Sequence, residues 1–383
     1  MFVIIIGIFT ICLALLYLGL ILIYLHHWRR ISHTKLPDTF IPSVTISVII
    51  PIRNEADKIG VLLKTILANH YPSRLLEIIV INDHSTDDSL EVIKSIDAKN
   101  ITVLSLEDFE LPDTFNSFKK FGIEQANKIA KGELIVTTDG DCLVPPHWLE
   151  YFAYVYEIKE KSFIAGPVNF ISGTKALVNF QALDFMGMML VTGANTRRKS
   201  SMICNGANLG YSKSLFKKVG GYRDIALQAS GDDIMLMNKV AERFQDQIYF
   251  IKNKNATVST AAAPDWNAFV QQRLRWATKN SKSQDWFLKL ELAIVYLLCI
   301  SILVIPILFI MGWSHLTFVW IFIVIVKFIA DWLLLSAATK FFGKKSLLYY
   351  LLSSFYIHIF YIAFIGSLSF FKRRFVWKGR KVY

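Results

Sequence analysis

An α/β domain built on a doubly wound sheet, flanked by N-terminal and C-terminal transmembrane helices, is the fold class this sequence predicts. Two patterns carry that reading. Between residues 44 and 141, β-branched and aliphatic runs alternate four times with helix-like stretches, as parallel strands joined by helical crossovers do. The acidic residues are also confined: of 30, all but Asp331 lie between Asp38 and Glu291. The two ends are therefore apolar, and the middle is water-compatible and large enough for its own core.

Residues 1–25 contain no charged side chain and would reach roughly 37 Å as a helix, enough to cross a bilayer. A cleaved signal peptide is the rival, but no basic n-region precedes this run and no small-x-small site follows it. The expected divisions are an anchor at 1–27, a linker at 28–43, a globular domain at 44–285, membrane segments at 286–371 and a basic tail at 372–383. Arg29 and Arg30 after the anchor place the globular domain in the cytoplasm under the positive-inside rule. The formal charge of +12 raises nucleic acid as a partner. The bases, however, cluster beside apolar segments, which points to membrane lipids. The four cysteines are scattered, with neither disulfide framework nor zinc spacing, as a reducing compartment allows.

The domain opens with a β-branched run at 44–50, broken by Pro51, followed by a helix at 55–69 and a strand at 76–82. A helix at 87–96, capped by Ser85 or Thr86, leads to a short strand at 101–104. Next come a helix at 116–131, closed by Gly132, and a buried strand at 134–138 that stops on Asp139-Gly-Asp141. Residues 146–160 read as helix, 162–170 as extended chain and 175–191 as an apolar helix whose Met186, Met188 and Met189 are packing residues. Gly231-Asp-Asp233 opens a helix to residue 244, and Asp265 caps another that carries Gln272-Arg-Leu-Arg-Trp276.

Three further segments, 292–313, 316–338 and 346–371, are each long enough to span. If all three cross, the basic tail ends outside, against the positive-inside rule, so one is expected to be re-entrant or interfacial. Lys327 and Asp331 stand four apart, so they can pair on one helical face.

Each chemical motif has a bland reading. Asp139 and Asp141, at the carboxyl end of a parallel strand, offer hard oxygen ligands for Mg²⁺ or Mn²⁺ on a diphosphate, or a solvated turn. Asp83 follows the second strand and Glu55 the first, at the same sheet edge, and both also suit plain turns. Asp232 and Asp233 can be a general base or a helix cap. Gln272, Arg275 and Trp276 can serve a diphosphate and an acceptor, or anchor lipid. No glycine-rich dinucleotide loop or P-loop is present.

Taken together, Ser47 to Glu55, Asn82 to Asp87, Gly132 to Asp141, Asn205-Gly-Ala-Asn208, Gly231-Asp-Asp233 and Gln272 to Trp276 resemble the membrane-bound family 2 glycosyltransferases. That group contains cellulose, chitin and hyaluronan synthases and ceramide glucosyltransferase. The resemblance implies a GT-A-like nucleotide-sugar-binding sheet. Asp83 would contact uracil, with Glu55 beside the nucleoside. Asp139 would lie near ribose and metal, and Asp141 would ligate Mg²⁺ or Mn²⁺. Asp233 would be the base, with Asp232 replacing the usual Glu, and Gln272, Arg275 and Trp276 would lie between diphosphate and acceptor. The implied reaction is inverting transfer from a UDP-sugar donor to a lipid or lipid-linked glycan acceptor at the cytoplasmic membrane face, without nucleic acid. A processive polysaccharide synthase is the runner-up, ahead of a transporter or an inactive membrane scaffold.

Overall fold

The computed structural model describes residues 2–110, 117–223, 231–281, 285–371, 375–377 and 380–382. Chain order runs through α1 (Phe2–Arg29), β1 (Ile46–Ile52), α2 (Ala56–Leu67), β2 (Leu76–Asn82), α3 (Ser89–Lys94), β3 (Ile101–Ser105), α4 (Phe118–Ile129) and β4 (Leu134–Thr137). It continues through β5 (Cys142–Leu143), α5 (Trp148–Lys159), β6 (Phe163–Ala165), β7 (Val168–Phe170), α6 (Ala176–Arg198), β8 (Leu209–Ser212), α7 (Lys213–Lys218), α8 (Asp232–Phe244), β9 (Ile248–Phe250) and β10 (Val258–Thr260). The last elements are α9 (Trp266–Ser281), α10 (Trp286–Ile310), α11 (Leu316–Phe342), α12 (Leu351–Phe371), β11 (Phe375–Trp377) and β12 (Arg380–Val382).

Seven strands form one sheet in the order β3-β2-β1-β4-β8-β6-β9. β1 lies in parallel between β2 and β4, with Ile49 opposite both Ile79 and Thr137. Its residues are almost all buried, because helices or other layers cover both faces of a central parallel strand. β8 runs antiparallel to β4, with Thr137 opposite Leu209. The sheet is thus mixed, and the start of β8 meets the carboxyl ends of β1, β2 and β4 at one edge.

Several boundaries differ from the sequence expectation. β1 continues through Pro51 instead of stopping there: the β4 ladder ends at Ile49, so the imino residue lies beyond it. Neither Ser85 nor Thr86 caps α3, whose N-cap is Asp88. Ser85 instead accepts from the Asn54 amide, and the Thr86 amide donates to Asn54 Oδ1, stitching the loops after β1 and β2 together. α4 begins at Phe118, since Ser117 caps it, and the expected start at residue 116 lies outside the described residues. Most of the basic tail, and residues 282–284 at the expected domain boundary, lie outside them too.

Among the described residues, five helical segments are long and apolar enough to cross a membrane: residues 3–29, 176–198, 286–310, 316–342 and 345–369. Two of them are tied to the globular domain. α6 runs on past the expected residue 191 to Arg198. Near its start Gln181 exchanges hydrogen bonds with the Ala263 backbone, and just past its end Lys199 pairs with Asp246 beside β9. Gly193 packs against Phe250 of β9 and Trp28 of α1, so α6 is sandwiched between sheet and bundle. Met186 and Met189 are buried there, as packing residues should be.

α12 behaves likewise. Lys344, before it, reaches the Phe170 carbonyl of β7. Along its length Ile357 and Tyr361 pack on a small core of Leu177, Phe180, Ala263 and Phe269. β11, four residues beyond its end, lies against α9. The start of α12 is thereby tied to the globular domain, and its length packs on α10, α9 and α6. Lys327 and Asp331 do pair, at 2.5 Å; Tyr17 donates to the other carboxylate oxygen, and His358 Nδ1 lies 3.3 Å from Lys327. Every charge in that buried cluster is therefore matched.

Candidate active site

The site grows from the parallel strands. Their carboxyl ends deliver Arg53 to Glu55 from β1, Asp83 from β2 and Asp139 to Asp141 from β4 to one edge. The Asp83 amide donates to the Ile52 carbonyl and the Thr138 amide to Ile49, so the sheet ladder itself sets these loops. Gly140 lets the acidic turn sit directly on the end of β1: a Cβ there would lie 2.7 Å from Ile52 and 3.3 Å from Glu55. Glu55 is buried, with Lys58 3.6 Å away, and its own backbone amide donates to the Ser89 hydroxyl oxygen. Asp83 is enclosed by His84 Nδ1 at 3.0 Å and Arg53 at 3.8 Å.

The antiparallel β8 brings the Asn205 to Asn208 loop to the same edge. Thr137 donates to the Gly206 carbonyl at 2.7 Å, and the Gly206 amide donates to Asp233 Oδ2 at 3.0 Å. Asn208 is a structural staple: it accepts from Trp148 Nε1 and donates to the Pro167 and Ala256 carbonyls. Gly231 takes the N-cap of α8 at φ 89°, a conformation that favours glycine, and sets both acids in the first helical turn. They diverge there, as successive helical residues must. Asp233 Oδ1 accepts from the Ile234 amide, whereas Asp232 Oδ2 lies 3.6 Å from Lys119.

Lys119 joins the two acidic motifs, because its ammonium also lies 3.0 Å from Asp139. Burial alone would lower its pKa, yet Asp139, Asp232 and Asp233 outweigh that and hold it far above the ordinary lysine value. No sequence motif marks this residue; a Lys-Lys pair at a helix start reads as a solvated turn. Arg275 enters the same cluster from α9. Burial lowers its pKa, and Asp139, Asp232, Asp233 and Asp141 oppose that shift.

Among the described residues four carboxylates thus converge with Lys119 and Arg275, and their hard oxygen donors suit a divalent metal. Asp141 and Asp139 are the residues that would hold it. Gln272 and Trp276 are placed differently from Arg275. Among the described residues the buried Gln272 Oε1 has no hydrogen-bond partner, and Trp276 has Arg273 over its ring at 4.3 Å and Phe185 at 5.7 Å.

Comparison with known proteins agrees with this architecture. The model of "Glycosyl transferase family 2" matches residues 47–220, and that of "Glycosyl transferase family group 2" matches residues 134–369, more than half of the chain. "Probable glycosyltransferase YdaM" of Bacillus subtilis (strain 168) is 24% identical over 241 residues, 61% of this chain. This chain spans only 55% of that relative's length. "Glycosyltransferase AglE" of Haloferax volcanii is 23% identical over 260 residues, covering 68% of this chain and 80% of the relative. Among solved structures, the mannosyltransferase PcManGT from Pyrobaculum calidifontis, in complex with GDP-Man and Mn²⁺, aligns with a TM-score of 0.56. At 16% identity over 92% of this chain and 99% of that one, it establishes a shared GT-A fold. With the matched region running from the first strand into the last apolar helix, the chain belongs to the family 2 glycosyltransferases.

Proposed function

We propose that this glycosyltransferase moves a sugar from a UDP-sugar to a lipid or lipid-linked glycan, with inversion at the anomeric carbon. The observation that carries this reading is the convergence of Asp139, Asp232 and Asp233 on Lys119 and Arg275 at one sheet edge. Asp83 and Glu55 occupy the nucleoside side of that edge. Asp233 takes the proton of the acceptor hydroxyl as its oxygen attacks the anomeric carbon. Arg275 stabilises the departing diphosphate, and no covalent enzyme intermediate is needed. Mg²⁺ or Mn²⁺, when held by Asp141 and Asp139, would neutralise diphosphate charge. A GDP-linked donor stands as the alternative nucleotide, since the solved mannosyltransferase PcManGT is in complex with GDP-Man.

A panel of UDP- and GDP-sugars, offered to purified protein with lipid extract and read by mass spectrometry, tests the proposal. Sugar appearing on a lipid-borne product from a UDP donor is the expected result; transfer from no donor, or only from GDP-sugars, overturns the donor assignment. The runner-up is processive synthesis, favoured by the Gln-x-x-Arg-Trp motif; it would appear as a ladder of lengthening products. A transporter, suggested only by Lys327 and Asp331 in the apolar segments, is the weakest reading, since these two residues pair with each other as a structural ion pair does; nucleotide-sugar-independent flux would be its mark.

The bilayer arrangement follows from charge. With α1, α10 and α11 crossing the cell membrane and α6 and α12 not crossing it, Arg29, Arg30, Lys344 and Lys345 all fall on the catalytic side, while residues 311–315 between α10 and α11 carry no Lys or Arg. That side is the cytoplasm. Ser95→Cys, at an exposed position after α3, is expected to resist an impermeant thiol reagent in intact cells and to react after lysis. Ready labelling of intact cells would reverse the orientation.

A further inference from the structure

A cavity of about 540 Å³ lies between α1, α6, α9, α10, α11 and α12, within the size range of about 300–1,000 Å³ that small-ligand sites occupy. Its walls are chiefly aliphatic and aromatic, from Leu20, Leu183, Val191 and Leu335 to Phe355 and Ile365. A path for a growing glycan would need hydroxyl-binding groups along its length. This wall suits a hydrocarbon chain instead.

The lining also holds polar groups. Its acids are matched, Asp184 by Arg273, Glu291 by Arg198 and Asp331 by Lys327, whereas Asn195 Oδ1, Arg273, Ser354 and Lys289 lack a full complement of partners among the described residues. Arg273 is 3% exposed and pairs with Asp184 through Nη2 at 2.9 Å, but its Nε has no hydrogen-bond partner. Ser354, 4% exposed, lines the cavity with an Oγ that likewise has none. On α10 the rim carries the exposed Lys289, which forms no ion pair among the described residues, beside the exposed Leu292. A buried guanidinium N–H and hydroxyl left unpaired are costly unless something fills the space and accepts from them. With Asp184, Glu291 and Asp331 each paired to a base, the lining charge with no ion pair among the described residues is that of Lys289, so the complementary ligand group is anionic.

The cavity also adjoins the chemistry. Trp276 and Ala277 of α9 line it together with Arg273, and these three residues share one helical face. Arg275, on the same helical turn, interacts with the acids at the sheet edge. α9 is therefore the partition between the two compartments, with Trp276 on the cavity side.

We propose that this cavity holds the acceptor by its hydrocarbon chain, and that the acceptor's phosphate-bearing head lies between Lys289 and Arg273. The hydroxyl that receives the sugar then passes Trp276 to reach Asp233. The proposal rests on the transferase reading and narrows its acceptor to a phosphate-linked lipid carrying the reactive hydroxyl beyond its phosphate.

The test uses full-length protein in phosphatidylcholine nanodiscs and two photoactivatable probes. One is a phosphatidic acid with a diazirine near the end of its acyl chain, and the other is the matching diacylglycerol. Adducts are located by mass spectrometry, and UDP binding is measured on every variant to certify folding. The expected result is adduct formation on cavity residues of α6, α10 and α12, at least several-fold stronger for the anionic probe. Lys289→Ala should remove the preference between probes, and Ser354→Phe or Val191→Trp should suppress labelling of the cavity, all with UDP binding retained. Adducts confined to outward-facing residues such as Ile307, Phe318 and Ile325 would overturn the proposal. Equal labelling by the two probes would overturn it as well, as would labelling unchanged by both filling variants. Because the adduct map needs no sugar transfer, it can fail while the transferase reading stands, and the donor panel can fail while the map succeeds.

Discussion

Asp233→Asn is expected to lower turnover by roughly 10²- to 10⁴-fold, the usual contribution of a positioned base, while donor affinity is retained. The structure gives the two neighbouring acids different surroundings. Asp233 Oδ2 is held by the Gly206 amide, donated from a loop that β8 brings to the sheet edge, and Oδ1 accepts from Ile234. Asp232 lies 3.6 Å from Lys119, which itself reaches Asp139. An Asn at 233 keeps one carbonyl oxygen to accept from one of those two amides and sets its NH2 against the other, and it can no longer take a proton, so donor binding on the same variant certifies that the site is intact. Asp232→Asn removes a partner of Lys119 and should cost less turnover, acting mainly on acceptor positioning or stability. Steady-state turnover and donor calorimetry on both variants decide between them. If Asp233→Asn keeps near wild-type turnover while Asp232→Asn is inactive, the two roles are reversed.

The parallel part of the sheet was legible because strands buried on both faces must be continuous apolar runs, and residues 76–82 and 134–137 are such runs. The acids at their ends were legible for the same reason: a strand that stops on Asp-Gly-Asp or Asn-Asp declares its own edge. β8 was not. Leu209-Gly-Tyr-Ser has neither alternation nor a β-branched run, and Gly210 is there because a Cβ would come within 2.5 Å of Phe152. Lys119 escaped for a different reason, since its role comes from tertiary placement between Asp139 and Asp232 and leaves no periodic trace. The course of α6 and α12 was hidden because apolar length reports what a helix can cross and says nothing about where its ends are tied. Those ties, Lys199 to Asp246 and Lys344 to the Phe170 carbonyl, join residues far apart in sequence.

The second large effect is expected at Asp141. Asp141→Ala should abolish the metal dependence of UDP binding and weaken UDP at saturating Mn²⁺ by tenfold or more, equivalent to about 1.4 kcal/mol or above. The turn that carries this residue cannot drift: Gly140 is packed on Ile52 and Glu55, and the Cys142 amide donates to the Asp139 carbonyl. Two charges then compete for one edge, because a diphosphate must approach a cluster in which acids already outnumber Lys119 and Arg275. Like charges at short range repel by more than Lys119 and Arg275 offset, so binding needs a divalent ion between carboxylate and phosphate oxygens. Asp139 is the weaker test, since it also pairs with Lys119 and its loss would free that ammonium for the phosphates. Isothermal calorimetry of UDP against wild type and Asp141→Ala, with Mn²⁺, with Mg²⁺ and with EDTA, separates the contributions. Wild-type affinity should collapse in EDTA, and the variant should bind equally weakly in all three buffers. Retained, metal-dependent affinity in Asp141→Ala would move the metal away from this turn.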